Sequence, residues 1–124
     1  MKSKNDYQRV LVCGGRNYSD ACRVGVVLDE LTIELIIQGG AGGADALAKE
    51  YAITNQVQVQ EFKADWNANG RAAGPIRNSK MLIEGKPDVV LAFPGGRGTA
   101  DMVVKAKRAG VQVLDFRDEG GDRG

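Results

Sequence analysis

One stretch, residues 87–101, constrains the fold of this chain more than any other. Its sequence is PDVVLAFPGGRGTAD. The apolar run from Val89 to Phe93 is typical of a strand that is buried on both faces. Three glycines follow within four residues, and Thr99 is then the predicted N-cap of a helix. Because the first N–H groups of a helix lack intrahelical partners and glycines let a ligand approach the backbone, this stretch predicts an anion-binding loop.

The rest of the chain repeats this alternation of short strands and helices. Strands are predicted at residues 9–13, 33–37, 57–62, 89–93 and 111–115. Apolar residues at helical spacing predict four helices, which begin near Asp20, near Asp45, at Pro75 and at Thr99. This alternation predicts an α/β fold, a Rossmann-like three-layer sandwich whose five-stranded parallel sheet has the order 3-2-1-4-5.

Length and composition limit the class of protein. The 124 residues predict a single domain over residues 9–116, between a flexible N-terminus (1–8) and a flexible tail (117–124). Lys and Arg total 17 against 16 for Asp and Glu, a net charge of +1 that argues against nucleic acid as a partner. The sequence has neither a secretory segment nor a twenty-residue apolar span, so we expect a cytoplasmic protein with no membrane partner.

The residues that usually bind metals are scarce. The chain has no histidine, which removes the commonest general base and metal ligand. Cys13 and Cys22 show neither a zinc spacing nor a disulfide framework, and two buried free thiols are the expectation. The sequence therefore predicts no metal site.

The predicted strand order places a ligand site. In such sheets ligands bind beyond the carboxyl ends of the strands where the order reverses, here between the first and fourth strands. The loops after those strands and the loop after the second strand are all rich in glycine, which predicts a site for a phosphate-bearing ligand. The candidate residues in these loops are Gly14, Gly15, Arg16, Gly39, Gly40, Gly42, Gly43, Asp45, Pro94, Gly95, Gly96, Gly98 and Thr99.

Five motifs carry a resemblance to a known family. They are GGR at 14–16, GGAGGAD at 39–45, ADW at 64–66, AGPIRN at 73–78 and PGGRGTAD at 94–101. Together they resemble the SLOG superfamily, the Rossmann-like nucleotide-binding domains related to DprA and to the LOG phosphoribohydrolases. The chain is most similar to the YspA-like branch, and the resemblance extends from Val10 to Val113.

The resemblance implies roles for particular residues. LOG enzymes cleave the N-glycosidic bond of nucleoside 5′-monophosphates, and their glycine loop holds the phosphate and supplies a carboxylate. Asp101 stands where that loop has glutamate, and Asn78 stands where a lysine follows the catalytic arginine, which Arg77 matches. The implied catalytic residues are Asp101 and Arg77, and Trp66, Arg77 and Asn78 join the nucleotide-binding residues.

Several of these residues also have simple structural interpretations. Asp101 and Asp45 would each stabilise a helix dipole from the first turn. Arg77 would pair with Glu84 on a helix surface, and Trp66 would pack against the domain. Arg16 and Arg97 would be solvated rather than clamp a phosphate. Three basic residues of the last helix form a predicted solvated face: Lys105, Lys107 and Arg108.

The predicted function is binding or sensing of a nucleotide or nucleotide-derived small molecule. LOG-like phosphoribohydrolase activity is the alternative. A DprA-like binder of single-stranded DNA is a second alternative, disfavoured by the charge balance and by an aromatic content of 6%. No cofactor is expected, and Mg²⁺ would accompany only a diphosphate ligand. By analogy with the superfamily we expect a homo-oligomer, a dimer or larger.

Overall fold

The computed structural model describes residues 8–118. The segments 1–7 and 119–124, which the sequence predicts to be flexible, lie outside the described residues. Gln8 belongs to the first strand, and Arg117 and Asp118 form a turn after the last one.

Strands and helices alternate along the described chain. The strands are β1 Gln8–Cys13, β2 Ile33–Gln38, β3 Gln58–Glu61, β4 Val89–Ala92 and β5 Gln112–Asp115. The helices are α1 Ala21–Asp29, α2 Ala44–Thr54, α3 Trp66–Asn69, α4 Ala73–Gly85 and α5 Arg97–Arg108, with a 3₁₀ turn, Gly70–Ala72, between α3 and α4.

The five strands form one parallel sheet in the order β3-β2-β1-β4-β5. This confirms the predicted fold class and strand order. In the central pairing of β1 with β4, Cys13 lies opposite Ala92, so both strands end at the same level of the sheet. The segments that follow them, beginning at Gly14 and Phe93, therefore leave the sheet side by side.

Side chains alternate between the two faces of the sheet along each strand, and both faces are apolar, so helices cover both of them. Val10 and Val12 point to the face where α1 and α2 pack. Leu11 and Cys13 point to the opposite face, toward α4 and α5. Helix α2 contributes only small residues to its fully buried side, namely Ala44, Ala48 and Ala52, which lets it pack closely against the sheet.

Two predicted helix starts differ from the structure. Helix α5 begins at Arg97 with Gly96 as its N-cap, so Thr99 is not a cap but a buried residue of the first turn. Helix α4 begins at Ala73, which makes Pro75 its third residue rather than its first. Both shifts have one physical cause. The first N–H groups of a helix have no intrahelical partner, so glycine and proline are tolerated at several positions of the first turn. The residue type alone therefore does not fix where the helix begins.

The connection between β3 and α4 contains structure that the sequence did not predict. Residues 66–69 form the short helix α3, and the carboxylate of Asp65 caps it by accepting a hydrogen bond from the N–H of Ala68 at 3.0 Å. The 3₁₀ turn then leads directly into α4. This order places Trp66 and Arg71 beside the start of α4.

Candidate functional site

The three glycine loops meet at the carboxyl edge of the sheet, and Gly15 joins them. Its N–H donates to the carbonyl of Pro94 at 2.8 Å, and its carbonyl accepts from the N–H of Ala44 at 3.1 Å. Gly15, in the loop after β1, thus bonds both to the loop after β4 and to the first turn of α2. The three loops are thus joined to one another by backbone hydrogen bonds of Gly15.

Several of the glycines are required by this close packing. A Cβ on Gly14 would lie 2.6 Å from the Cβ of Ala44, and one on Gly95 would lie 2.6 Å from the amide nitrogen of Gly15. Gly43 has a φ of +58°, and a Cβ there would lie 2.5 Å from the carbonyl carbon of Arg16. These three glycines let the loops approach each other, a role that leaves little room for a ligand at the same atoms.

The two helix N-termini at this edge differ in whether other groups of the protein already cover them. At α2, the N–H of Ala44 in the first turn already donates to the carbonyl of Gly15. The carboxylate of Asp45, also in the first turn, accepts from the N–H of Ala41 at 3.1 Å. At α5, no side chain caps the helix. A Cβ on Gly96 or Gly98 would meet no atom within 4 Å. The N-terminus of α5 is therefore the one of these two that is open to an anion.

An open cleft of ≈ 750 Å³ lies in front of α5. Most of the predicted site residues line it, namely residues 14–16 and 94–99 together with Asp45, Trp66, Arg77, Asn78 and Asp101. Gly39, Gly40, Gly42 and Gly43 are not among the lining residues. Gly39 lies against the guanidinium of Arg77, and Gly40 lies against Glu61 and Lys63. From this loop only Ala41 reaches the cleft, while Asp45 does so from the start of α2.

Arg77 anchors α4 to the loop after β2. Its Nη1 donates to the carbonyl of Gly39 at 2.7 Å, and its Nε donates to Oδ1 of Asn78 at 3.0 Å. Burial lowers the pKa of the guanidinium, and the nearby carboxylate of Asp45 partly offsets this effect. These contacts replace the surface pair with Glu84 that the sequence suggested as one alternative.

Asp45 is one of the few buried charged or polar side chains, with 6% of its surface exposed. Burial raises the pKa of its carboxyl group, while the N–H of Ala41 and the charge of Arg77 act in the opposite direction. Asp45 therefore ties its own loop to the start of α2, and its carboxylate faces a guanidinium rather than open solvent.

A chain of hydrogen bonds continues from α4 to α5. Asn78, which is 3% exposed, donates through Nδ2 to the carbonyl of Gly98 at 3.1 Å and to Oδ2 of Asp101 at 3.0 Å. The same Oδ2 lies 3.1 Å from Nζ of Lys105, which also donates to the carbonyl of Pro75 at 2.7 Å. Lys105 is thus not part of the solvated face that the sequence predicted. It holds Asp101 from the next turn of α5.

Trp66 lies over the start of α4 with 52% of its surface exposed. The end of its indole ring is 3.5 Å from the position that a Cβ on Gly74 would take, and the ring lines the cleft. Packing accounts for about half of its surface, and the other half is open to a ligand or to solvent.

The cleft also contains residues that sequence reasoning missed. The chief ones are Arg71 from the 3₁₀ turn, Arg117 from the turn after β5, and Tyr18 and Cys13 from the β1 side. Arg117 pairs with Asp115 at 2.7 Å. None of these positions carries a sequence signal of its own, because they enter the cleft only through the way in which the strand ends assemble.

The two cysteines differ in environment. Cys13 lies in the cleft wall with 7% of its surface exposed, and burial raises the pKa of its thiol to about 12. Cys22 is exposed on α1, so the prediction that both thiols are buried is wrong for Cys22. Val24, Val27 and Leu28 form the buried stripe of α1, and Cys22, two residues before Val24, lies on the outer side of the helix.

Two further properties concern residues 8–118 only. Within that range no helix is both long enough and apolar enough to cross a membrane. The same residues contain no cluster of His, Cys, Asp and Glu side chains that could hold a metal ion.

The parallel sheet and its strand order define a Rossmann-type domain, and the cleft lies where the strand order reverses. The chain belongs to the YspA, cpYpsA-related SLOG family, whose sequence pattern matches residues 8–68. Among individual proteins it is similar to the Gene 61 protein of Mycobacterium phage D29. The two are 37% identical over a match that covers 90% of this chain and 98% of the phage protein.

A solved structure shows the same fold. The chain superposes on DNA processing protein A (DprA) from Streptococcus pneumoniae with a TM-score of 0.73 at 20% sequence identity. The match covers 94% of this chain and 52% of the DprA chain, so this chain spans about half the length of that protein. At this level of identity the comparison establishes the fold.

Proposed function

We propose that the cleft binds a nucleotide or a nucleotide-derived small molecule, with a phosphate at the N-terminus of α5. One observation carries the proposal. Helix α5 presents its first turn to the cleft without a side-chain cap, and Gly96 and Gly98 leave the space around their Cα atoms empty. Free N–H groups and the helix dipole make such an end favourable for a phosphate.

The surrounding residues suggest how the rest of a nucleotide would lie. The ribose would lie between Asp101 and Arg77, whose orientations are fixed by Asn78. The base would extend toward the Gly14–Arg16 loop or beneath the exposed part of Trp66. The proposal requires no cofactor, and Mg²⁺ would enter only with a diphosphate ligand.

The single tryptophan of the chain provides a direct test. Trp66 lines the cleft, so a bound ligand should change its fluorescence, and a ligand that binds only the native state should raise the thermal midpoint. We would titrate nucleoside mono- and diphosphates, ADP-ribose and cyclic nucleotides, with inorganic phosphate for comparison. At least one nucleotide should produce both signals.

A matched pair of variants locates the binding. Arg97→Ala removes a cation at the N-terminus of α5, whereas Arg108→Ala removes an exposed arginine at the opposite end of the same helix. The first should weaken nucleotide binding and the second should not. Failure of every nucleotide to bind, or equal losses in the two variants, would contradict the proposal.

Glycosidic hydrolysis is a second candidate, favoured by the geometry of Asp101. Both of its contacts, from Asn78 and Lys105, go to Oδ2, which leaves Oδ1 without a partner among the described residues. A carboxylate oriented in this way could stabilise an oxocarbenium-like transition state. Incubation with each nucleoside 5′-monophosphate should then release free base, and Asp101→Asn should abolish the release. Equal release by both proteins would assign the activity to a contaminant.

A further inference from the structure

We infer that the ligand of this cleft carries two or more phosphate groups, as a nucleoside diphosphate does, rather than one. The inference rests on the proposed function and names the class of ligand for the same site. It follows from the number of charged side chains in the cleft and from which of them already have partners.

Most of the charged residues that line the cleft are arginines. Five of the 17 Lys and Arg residues of the chain line it, whereas only two of the 16 Asp and Glu residues do. Both of these carboxylates have protein partners. Asp45 accepts from the N–H of Ala41 and faces Arg77, and Asp101 is held between Asn78 and Lys105. The two acids therefore do not neutralise the remaining arginines.

Three of the five arginines have no partner within residues 8–118. Arg77 donates to backbone carbonyls and Arg117 pairs with Asp115. Arg16, Arg71 and Arg97 are exposed, and their guanidinium groups make no hydrogen bond or ion pair with another described residue. They come from three separate segments, namely the loop after β1, the 3₁₀ turn before α4 and the first turn of α5. The uncompensated positive charge is therefore distributed around the cleft.

A single phosphate does not match this arrangement. A phosphate monoester carries about −2 charge at pH 7 and would use the N–H groups of α5 with Arg97 beside it. Arg16 and Arg71 would then remain without anionic partners at the walls of the cleft. Further phosphates, one or more, supply oxygens for charge-assisted hydrogen bonds from guanidinium groups, which bind phosphate in a forked geometry.

The charge outside the cleft argues for a compact ligand rather than a nucleic acid strand. Once the lining residues are set apart, acidic residues outnumber basic ones in the rest of the chain. The excess of positive charge therefore lies at the cleft, which suits a nucleoside diphosphate bound within it better than a strand that extends beyond it. The arginine bias thus favours several phosphates on a small molecule.

The test compares AMP, ADP and ATP at constant ionic strength, because salt screens such contacts. Isothermal titration and the Trp66 signal would give Kd for the wild type, for Arg16→Ala/Arg71→Ala and for Arg108→Ala. Pyrophosphate and a short oligothymidylate complete the panel. ADP should bind the wild type about tenfold or more tightly than AMP, as expected for added charge-assisted hydrogen bonds. The double variant should bring the AMP-to-ADP ratio close to one, and Arg108→Ala should leave the ratio unchanged.

The outcomes separate the two proposals. If AMP binds and ADP binds no more tightly, or if the double variant weakens AMP and ADP equally, this inference is overturned and the proposed function stands. If the oligothymidylate binds more tightly than ADP, the multiple phosphates belong to nucleic acid and the inference is also overturned. If AMP, ADP, ATP and the other nucleotides tested for the proposed function all fail to bind, both proposals fail.

Discussion

Nδ2 of Asn78 donates to Oδ2 of Asp101 across 3.0 Å, and this hydrogen bond joins α4 to α5 beside the cleft. Oδ1 of the same amide accepts from Nε of Arg77 at 3.0 Å. One neutral side chain therefore orients a carboxylate and a guanidinium together. Only one orientation of the amide satisfies the carbonyl of Gly98, the Asp101 carboxylate and Arg77, so the position of its oxygen and nitrogen is fixed by these contacts.

The first prediction concerns this amide. Asn78→Leu removes hydrogen bonds from a buried position and should lower the free energy of unfolding by about 1–3 kcal/mol, because Arg77 Nε and the Gly98 carbonyl lose their partners. Asn78→Asp should be destabilising as well, and more so at pH 7 than at pH 5. Burial and the neighbouring Asp101 carboxylate raise the pKa of the new carboxyl group in the folded state and outweigh the attraction of Arg77, so the cost decreases as the pH falls.

Urea denaturation at the two pH values measures both effects. Asn69→Asp is the control, because Asn69 is exposed at the end of α3. It should change the stability far less than the substitution at position 78. An Asn78→Asp protein that is as stable as the wild type at pH 7 would contradict the orienting role of the amide.

The second prediction separates glycines that pack from glycines that face the cleft. Gly98→Ala meets no atom within 4 Å and lies in a helix, so it should raise the free energy of unfolding by about 0.5 kcal/mol. The added methyl group should nevertheless weaken nucleotide binding. Gly95→Ala places its Cβ 2.6 Å from the amide nitrogen of Gly15 and should cost about 1–3 kcal/mol of stability. Thermal or urea unfolding with a nucleotide titration checks both. Equal losses of stability in the two variants would disprove the distinction.

The third prediction concerns the cysteine thiols. Burial raises the pKa of the Cys13 thiol to about 12, so the thiol stays protonated and unreactive at pH 8. Native protein treated with iodoacetamide at pH 8 should therefore be labelled at the exposed Cys22 and not at Cys13. Mass spectrometry should find one label per native chain and two in urea. In Cys22→Ser the native chain should take up none, and rapid native labelling of that variant would show that Cys13 is accessible.

The fourth prediction concerns the buried carboxyl group of Asp45. Its pKa is raised above the ordinary value of 3.8, mainly by burial. The folded state therefore binds the proton more tightly than the unfolded state, and this group lowers stability as the pH rises through its folded pKa. Asp45→Asn removes that dependence while keeping an oxygen for the N–H of Ala41. The stability of the variant relative to the wild type should increase from pH 4 upward in urea titrations. A difference that stays constant with pH, or that changes in the opposite direction, would contradict the assignment.

Much of the candidate site could be predicted from the sequence because its loops follow predicted strands. Once the order 3-2-1-4-5 was inferred, the loops that begin at Gly14 and Pro94 had to leave the sheet side by side. The glycines of the loop after β2 show the limit of this reasoning. Position along the chain placed them at the correct edge, but Gly43 and its neighbours pack against backbone and other side chains instead of lining the cleft.

The sequence by itself determined the parallel sheet, its strand order and the edge at which the cleft forms. These depend on hydrophobic periodicity, glycine positions and the handedness of crossovers, all of which act locally or apply to every such fold. Only the tertiary structure decided which groups reach the cleft and which are already engaged. Arg71, Arg117 and the chain of contacts through Asn78 depend on how helices and turns distant in sequence pack together, and no local pattern encodes those distances.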